Sequence, residues 1–520
     1  MIRHKSLNAV AGAFFIPKRL ATFDCPPPGK KGLVLGAYET CEGTLKLTET
    51  ASKFDNCVCG KLSELLKGSK IPRGKAQVFG GLNDDFSYVA VACLGPESAT
   101  FHPVEALDQC KEFIREAAGV GARSLQDMGA THIFVEGFTN TEASAEGSLL
   151  SVWKYQDWRN KDDQEPAPKI ELYDNDDVQW WLKGTIGAES QNMARWISEC
   201  PSNLMTPTLF CQMAIEYLCP CGVEVELRDR EWMEANHFNA FLTMARGSCQ
   251  PPGFAELKYC GGKENERPVV LMGKGSTFDT GGLNLQPPKG MSIYRGDIAG
   301  AACVVSVIKA VARLNLPINI IGVLALYENM PSGLALKHGD VTMSRNGKTI
   351  RIEDPANDGR VICADCLAYC ARYKPAFIMT VSTSSTGLNN SFGTPPNGLF
   401  TTSDVCWEEL NMAGAYTGDR VWRLPLWKCF RSRVTNYEGV DVVNTGLGRG
   451  GGPCLAAAFL MEFVPAQCDF VLMEVSATGL LHREAGMRYL RKGTMTGRPT
   501  RTIIQFLYQL ACPHTNKCDC

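Results

Sequence analysis

No stretch of the sequence approaches the ~20 consecutive apolar residues that a helix needs to cross a bilayer, so no membrane span is expected. An excess of charge of one sign is also missing, because 53 Lys and Arg against 55 Asp and Glu give a net charge of −2. This balance provides no general attraction to nucleic acid or to anionic membranes. Internal repeats and low-complexity tracts are absent as well. The remaining composition, 45% hydrophobic in 520 residues, is typical of a globular chain with two or more domains.

Histidine is scarce, with seven residues in the whole chain and none in the polar stretches that follow predicted strands. A histidine-ligated zinc site and a Ser-His-Asp triad both need histidine beside the other reacting groups. The sequence therefore gives no support to either kind of site. Any chemistry must come from carboxylates, lysine and arginine.

Acidic residues are missing from Met1–Phe23, which carries four basic residues, and Leu7, Val10 and Phe14 recur there at helical spacing. This pattern is typical of a mitochondrial transit peptide rather than a secretory signal. We predict that residues 1–24 are a transit peptide and that the protein is mitochondrial. A basic tail without a targeting role, and hence a cytoplasmic protein, is the alternative.

The 23 cysteines are many for a reducing compartment. Cys363, Cys366 and Cys370 share one stripe of a predicted helix, where they either bind a metal cluster or fill the core as small buried side chains; we favour the core. Surface thiols that cross-link under oxidising conditions are predicted in polar or proline-flanked segments. These are Cys57, Cys59, Cys219, Cys221, Cys512, Cys518 and Cys520.

The most informative stretch is Val269–Asp297. Its apolar start, Val269–Met272, predicts a buried strand, and a polar loop with Lys274, Asp279 and Asp297 is expected to follow. A helical pattern and a second apolar strand come next, which predicts a right-handed βαβ unit. Catalytic groups of open parallel sheets gather beyond the carboxyl ends of the strands. Two carboxylates and a lysine in that position indicate a metal site or an ion-pair network.

A second polar segment, Arg351–Arg360, precedes another predicted helix and strand. Together, GKGSTFDTGG and NGKTIRIEDPANDGRVICAD resemble the two metal-binding motifs of the leucine (cytosol) aminopeptidase family. The segments ENMPSG, TGDRVWRLPL, AAAFLMEFV and MTGRPTRT continue the resemblance in the same order. It extends from about Leu182 to the last helix near Leu510, and the residues before Lys169 resemble the family's amino-terminal domain.

The resemblance implies an α/β fold of two domains. A smaller amino-terminal α/β domain is expected at residues 25–173, a helical connector at 174–200, and a larger aminopeptidase-like domain at 201–520. The larger domain should contain a central mixed sheet flanked by helices. The family also implies a hexamer built as a dimer of trimers.

The family's site contains two divalent ions, Mn or Zn, held by a lysine, three aspartates and a glutamate. An arginine there holds a carbonate-like anion, and a second lysine polarises the scissile carbonyl. Lys274, Asp279, Asp297 and Arg360 stand where these motifs require them.

Three positions depart from the family's pattern. The Asp-x-Glu pair falls on Ala356 and Asp358, and the second lysine falls on Gln286. Ala356 can offer only its backbone carbonyl, and an aspartate in place of glutamate withdraws its oxygens by about 1.5 Å, against a ligand tolerance of ~0.2 Å. Gln286 brings no positive charge to the oxyanion that develops in the transition state. Losing one group that stabilises this oxyanion lowers the rate by about 10²–10³-fold.

Two dications ~3.5–4 Å apart are tolerated only among anionic oxygens. We therefore expect one weak Mn or Zn site at most, at reduced occupancy or without metal, and little peptidase activity. Two alternatives remain open. Asp354 could turn inward as a substitute ligand, or Lys274 and Arg360 could neutralise Asp279, Asp297 and Asp358 in a metal-free network.

The substrate pocket also departs from the family, which keeps apolar residues there. Tyr294 stands at one such place, and Thr383-Ser384-Ser-Thr replaces a threonine-leucine-threonine-glycine turn. Additional hydroxyls in an apolar pocket need hydrogen-bond partners and should weaken the binding of leucine.

Three functions are consistent with these observations. The first is a catalytically impaired member of the family with a structural role, similar to the leucyl-aminopeptidase-like proteins that pack into the paracrystalline material of the insect sperm mitochondrial derivative. Its partners would be copies of itself in a hexamer, or paralogues in a hetero-oligomer. The second is an active Mn- or Zn-dependent aminopeptidase with peptide substrates. The third is binding of a peptide or small anion by the remnant cleft through Lys274 and Arg360.

Overall fold

The computed structural model describes residues 29–174, 177–385, 387–480 and 487–512. The predicted transit peptide and the cysteines at positions 518 and 520 lie outside these residues. The described chain forms two α/β units, as the sequence predicts.

The amino-terminal unit is built on a twisted sheet with helices on its faces. Its strands are β1 (Lys30–Glu39), β2 (Leu45–Leu47), β3 (Ala76–Gly80), β4 (Tyr88–Cys93), β5 (Phe101–His102), β6 (Leu107–Asp108), β7 (Ala130–Glu136) and β8 (Lys169–Tyr173). Its helices are α1 (Glu49–Cys57), α2 (Lys61–Leu66), α3 (Gln109–Asp127) and α4 (Thr141–Val152). The main sheet has the order β3-β4-β1-β7-β8, with β2 paired to β1, and β1 lies parallel to both β4 and β7.

A long helix, α5 (Val178–Glu199), leads into the larger unit. The remaining helices are α6 (Pro207–Leu218), α7 (Arg230–Ala235), α8 (Asn239–Ala245), α9 (Ala299–Arg313), α10 (Asp358–Tyr369), α11 (Gly387–Phe392), α12 (Asp404–Thr417), α13 (Lys428–Thr435), α14 (Gly452–Met461) and α15 (Thr500–Ala511). The remaining strands are β9 (Glu224–Arg228), β10 (Gly253–Cys260), β11 (Val269–Asp279), β12 (Asn319–Asn329), β13 (Asp340–Met343), β14 (Thr349–Ile352), β15 (Phe377–Ser382), β16 (Asn397–Thr401), β17 (Val421–Arg423), β18 (Val442–Val443) and β19 (Asp469–Glu474).

The central sheet of this unit is mixed, as predicted, with the order β17-β16-β19-β15-β11-β12-β10-β9. Its middle strands β19, β15, β11 and β12 are parallel, while β10 and β16 are antiparallel to their neighbours β12 and β19. Helices cover both faces because alternate side chains of a strand point to opposite sides. On β11, Leu271 packs with the cluster that contains α9 and α15, while Val270 and Met272 pack with the cluster that contains α10 and α14.

The predicted βαβ unit is present as β11, α9 and β12, but the predicted end of its first strand is wrong. The strand does not stop at Met272: pairing with β12 continues to Asp279, so Lys274 and Asp279 lie in the strand rather than in a loop. Glycine does not end the strand because it serves packing here. A Cβ on Gly273 would lie 2.7 Å from the Cα of Ala301, so α9 can approach only a glycine.

One helical stretch, Met291–Arg313, is long and apolar enough by length and composition to cross a membrane, although most of it is buried inside the protein. It consists of a 3-10 segment, Met291–Ile298, followed by α9. This stretch packs between β11 and α5 and supplies much of the core.

The cysteine stripe of α10 belongs to the core. Cys363, Cys366 and Cys370 are fully buried, as the core interpretation predicts, and burial raises the pKa of the Cys363 thiol to about 12. In contrast, Cys57, Cys59 and Cys219 are exposed.

Candidate functional site

The predicted site residues converge where the parallel strands β11, β12, β15 and β19 end. A cavity of about 520 Å³ opens at this edge of the sheet. It is lined by most of the predicted residues, namely Asp279, Gln286, Tyr294, Asp297, Ala356, Asp358, Thr383 and Ser384. The parallel strands bring these groups together because their carboxyl ends meet at one edge.

Three carboxylates form the centre of the site. Asp279 ends β11, Asp297 lies in the 3-10 segment before α9, and Asp358 is the first residue of α10. All three are buried, and one oxygen of each lies within 4.8 Å of the others. Burial, together with the charges of Asp358 and Asp297, raises the pKa of Asp279 well above its ordinary value. The structure therefore brings three carboxyl groups together at the predicted position.

Lys274 is the cation beside these carboxylates, and it is only 1% exposed. Its Nζ lies 2.5 Å from Oδ2 of Asp297 and 2.8 Å from Oδ1 of Asp358. Burial alone lowers the pKa of a lysine, but these two carboxylates outweigh it and raise the pKa of Lys274. Lys274 is therefore an ammonium ion that bridges two of the three acids.

Neutral donors occupy further carboxylate oxygens. The Tyr327 hydroxyl donates to Oδ2 of Asp358 at 2.5 Å, and the Thr383 hydroxyl donates to Oδ1 of Asp297 at 2.5 Å. Oδ1 of Asp279 accepts from Nδ2 of Asn329 and from the backbone N–H of Gly281, each at 2.8 Å. Within the described residues, Oδ2 of Asp279 is the only oxygen of the three carboxylates that receives no hydrogen bond.

Arg360 is buried but lies outside the ion-pair network. Its guanidinium donates to the backbone carbonyls of Asn444 at 2.5 Å, Ser384 at 3.3 Å and Gly452 at 3.3 Å. Burial lowers its pKa to about 10, although the charge of Glu474 opposes this shift. The hypothesis that Arg360 directly neutralises the three aspartates is therefore wrong, because backbone carbonyls take its donors; the Lys274 part of that hypothesis agrees with the structure.

Asp354 lines the cavity but lies outside the group of three clustered carboxylates. Its Oδ1 accepts from Nδ2 of Asn284 at 2.8 Å and from the backbone N–H of Ala356 at 2.9 Å, and its Oδ2 accepts from Nδ2 of Asn357 at 2.7 Å. These bonds hold Asp354 in the turn before α10, because a short aspartate side chain readily caps its own turn. The alternative in which Asp354 replaces the missing carboxylate is therefore wrong for this conformation.

The positions that depart from the family's pattern line the cavity or form hydrogen bonds with neighbouring protein groups. Ala356 lines the cavity with a methyl group. Oε1 of Gln286 accepts a hydrogen bond from the Tyr294 hydroxyl at 3.0 Å, so these two half-buried side chains hold each other at the cavity mouth. The hydroxyl of Ser384 donates to that of Ser382 at 2.7 Å. The pocket hydroxyls therefore bond to protein groups.

Three residues at the site are missing from the sequence-based set: Tyr327, Asn329 and Glu474. Tyr327 and Asn329 lie on β12, opposite Ser276 and Asp279 of β11. Glu474 ends β19, is fully buried, and accepts hydrogen bonds from the backbone N–H groups of Ser384 at 2.8 Å and Ser476 at 3.0 Å. Burial raises its pKa to about 7. The apolar run that predicts this strand, Ile318–Leu326, ends just before Tyr327, so the sequence offered no direct signal for the first two.

Two family models match most of the chain. The "Cytosol aminopeptidase family, catalytic domain" matches residues 192–504, and the "Cytosol aminopeptidase family, N-terminal domain" matches residues 34–162. The cytosol aminopeptidase of Xenopus tropicalis is 40% identical over 490 residues, which is 93% of each chain. The cytosol aminopeptidase of Homo sapiens is 39% identical over 488 residues, or 92% of this chain and 93% of the human protein.

A solved structure has the same architecture. The bottromycin maturation enzyme BotP is 26% identical, with a TM-score of 0.78 over 93% of this chain and 99% of the BotP chain. BotP in complex with Mn also gives a TM-score of 0.78 at 26% identity, covering 92% of this chain and 99% of the other.

Proposed function

Because the chain belongs to the cytosol aminopeptidase family, we propose that it has the family's metallo-aminopeptidase fold with a metal centre limited to one divalent ion. In this proposal the protein has lost most or all peptidase activity and acts as a structural subunit of an assembly. The observation that carries the proposal is the shortage of free carboxylate oxygens around Lys274.

Counting charges supports one ion. With all three ionised around a metal, Asp279, Asp297 and Asp358 would contribute three negative charges, and Lys274 offsets one of them. The remaining charge of −2 would be balanced by one dication. Carboxylate oxygens are ligands that Mn²⁺ accepts readily, and a relative of the same fold is described in complex with Mn. The donor set therefore fits a single Mn or Zn ion, which Asp279, Asp297 and Asp358 would hold.

A second ion lacks ligands. Ala356 supplies no carboxylate, and both oxygens of Asp358 already accept hydrogen bonds, from Lys274 and Tyr327. Two dications side by side repel strongly unless anionic oxygens surround both. Both oxygens of Asp297 likewise accept hydrogen bonds, from Lys274 and Thr383, so the three carboxylates do not meet this requirement.

A metal ion bound here would polarise a carbonyl and acidify a water molecule. The chain's own contribution to such a reaction is reduced. Gln286 can donate a hydrogen bond to a developing oxyanion, but it carries no charge and its carbonyl oxygen is held by Tyr294. Arg360 keeps its motif position, and its guanidinium donates a hydrogen bond to the backbone carbonyl of Ser384. The site therefore retains the positioning groups and lacks the electrophilic ammonium.

The proposed structural role is supported by three features outside the site. The acid-free amino terminus favours a mitochondrial protein, the exposed cysteines allow cross-links, and the family implies a hexamer, formed with copies of the same chain or with paralogues. The insect sperm proteins that the sequence resembles pack into paracrystalline material in the mitochondrial derivative. We propose a similar assembly for this chain.

An active Mn- or Zn-dependent aminopeptidase is the second candidate. It is favoured by the four motif residues that remain, Lys274, Asp279, Asp297 and Arg360, and by the match to cytosol aminopeptidases along 93% of the chain. Its substrates would be peptides with a free amino terminus.

One experiment separates the two candidates. The purified protein is equilibrated with Mn²⁺ or Zn²⁺, and bound metal per chain is measured together with the release of leucine from a chromogenic amide. The Xenopus tropicalis cytosol aminopeptidase, treated identically, is the reference. We expect at most one ion per chain and little or no leucine release. Two ions per chain with turnover like that of the reference would overturn the proposal.

A further inference from the structure

A group of three arginines lies between the two domains, away from the carboxylate site. Arg123 lies on α3, Arg195 on α5, and Arg491 in the segment before α15. Nη2 of Arg491 donates to Oε1 of Gln126 at 2.7 Å, one turn of α3 beyond Arg123. Nη2 of Arg195 donates to the hydroxyl of Thr494 at 3.4 Å, three residues after Arg491. The charge of Arg491 acts on Arg123, and the charges of both act on Arg195, so the three guanidinium groups are neighbours, here called the arginine cluster.

None of the three arginines lies within 4.0 Å of a carboxylate oxygen in the described part of the chain, and the acids whose charges act on them, Asp127, Glu165 and Glu199, lie farther away. Arg195 instead donates to the backbone carbonyls of Leu150 at 2.9 Å and Met495 at 3.2 Å. Burial, and then the like charge of Arg491, lower the pKa of Arg123 to about 10. The positive charges of the cluster therefore repel one another.

Two other arginines at the contact between the domains form ion pairs with a carboxylate. Arg115 and Arg501 share one oxygen of Glu146, at 2.6 and 2.7 Å. All three of these side chains are almost fully buried. Glu146 therefore pairs with the two buried arginines, and a paired carboxylate is the ordinary way in which buried positive charge is stabilised. The arginine cluster is the exception.

The cluster also contains buried donors without acceptors. Nε and Nη2 of Arg123 and Nε of Arg491 are inaccessible to solvent and have no hydrogen-bond partner among the described residues. A buried donor left unpaired is costly, and a charged donor more so. Three such donors on two neighbouring guanidinium groups indicate that a bound group with hydrogen-bond acceptors occupies the space between Arg123 and Arg491.

We propose that Arg123 and Arg491 bind a small oxyanion such as inorganic phosphate. The planar guanidinium presents two parallel N–H groups that match two oxygens of one anion. A phosphate dianion supplies several acceptor oxygens and offsets two positive charges, whereas water supplies an acceptor and offsets none. The bound anion joins α3 of the amino-terminal domain to the Arg491 segment of the larger domain, so it stabilises the contact between the domains.

The test uses the full-length protein and phosphate itself. Isothermal titration with phosphate is performed at constant ionic strength, with chloride replaced by phosphate. We expect saturable binding at one site per chain. Arg123→Gln and Arg491→Gln should each weaken it about tenfold or more, since each removes charge-assisted hydrogen bonds. Arg159→Gln is the matched control, because Arg159 is exposed and its loss removes the same charge. Its phosphate affinity should stay that of the wild type.

The thermal midpoints of the same proteins provide an independent readout. Phosphate should raise the midpoint of the wild type and of Arg159→Gln, but not that of Arg123→Gln. In chloride, Arg123→Gln should fold and melt no lower than the wild type, because it removes an unpaired buried charge. Absence of saturable binding, an equal loss of affinity in Arg159→Gln, or a crystal structure grown in phosphate with only water at Arg123 would overturn the proposal.

Discussion

The hydroxyl of Tyr327 lies 2.5 Å from Oδ2 of Asp358 and donates a hydrogen bond to it. Lys274 holds the other oxygen of the same carboxylate at 2.8 Å. Both oxygens of Asp358 therefore already accept a hydrogen bond, and a metal ion would compete with these donors for the carboxylate. This single contact explains why three clustered carboxylates offer fewer ligands than their number suggests.

Replacing Tyr327 by Phe should strengthen Mn²⁺ binding by about tenfold, because the ion no longer competes with a hydrogen bond to a charged group. The dissociation constant is measured by titration calorimetry or by Mn²⁺ electron paramagnetic resonance. Tyr369→Phe is the control, since Tyr369 is also buried in the core but its hydroxyl bonds to Arg372 instead. Unchanged or weaker binding by Tyr327→Phe would show that Tyr327 does not compete with the metal.

Restoring the family's residues should restore the family's chemistry. Ala356→Asp and Asp358→Glu together should raise the metal content to two ions per chain, because they return a carboxylate and extend another. Adding Gln286→Lys should then raise leucine release by about 10²–10³, the range typical for one oxyanion stabiliser. Metal content is measured by elemental analysis and activity with the chromogenic amide. Gln286→Lys alone is the control and should leave the metal content unchanged.

Removal of the Lys274 ammonium should destabilise the metal-free protein. Lys274→Met leaves Asp297 and Asp358 buried without their cation, and breaking a buried pair costs about 3–5 kcal/mol. The loss is measured by urea denaturation in the presence of a chelator. Lys46→Met, which removes an exposed partner of Glu97, should change little. A Lys274→Met protein as stable as the wild type would mean that the three carboxylates are not charged when metal is absent.

The cysteines should divide into two classes by reactivity. Alkylation of the native protein at pH 8 should label Cys57, Cys59 and Cys219, and spare Cys363, whose raised pKa and burial suppress the thiolate. Mass spectrometry of digested samples measures the labelling, and the denatured protein serves as the fully labelled control. After oxidation, non-reducing gels should show cross-linked chains. A monomer band alone would contradict cross-linking through these surface thiols.

The family, the α/β class and the approximate position of the site could be predicted from the sequence. Resemblance to the family's motifs identified Lys274, Asp279, Asp297 and Asp358, and the structure brings them into one cluster. This was possible because apolar periodicity and motif order are local properties of the chain. The end of β11 was not predicted, since glycine indicates a break locally but here permits the approach of α9.

Which charged groups come into contact could not be predicted before the folded arrangement was known. The metal-free hypothesis gave Arg360 and Lys274 the same neutralising role, yet backbone carbonyls surround Arg360 and carboxylates surround Lys274. Tyr327 reaches Asp358 across 31 positions, and Arg491 reaches Gln126 across 365. Such partners depend on how helices pack on the sheet and how the domains meet. Electrostatic interaction depends on distance in space, and position along the chain does not fix that distance.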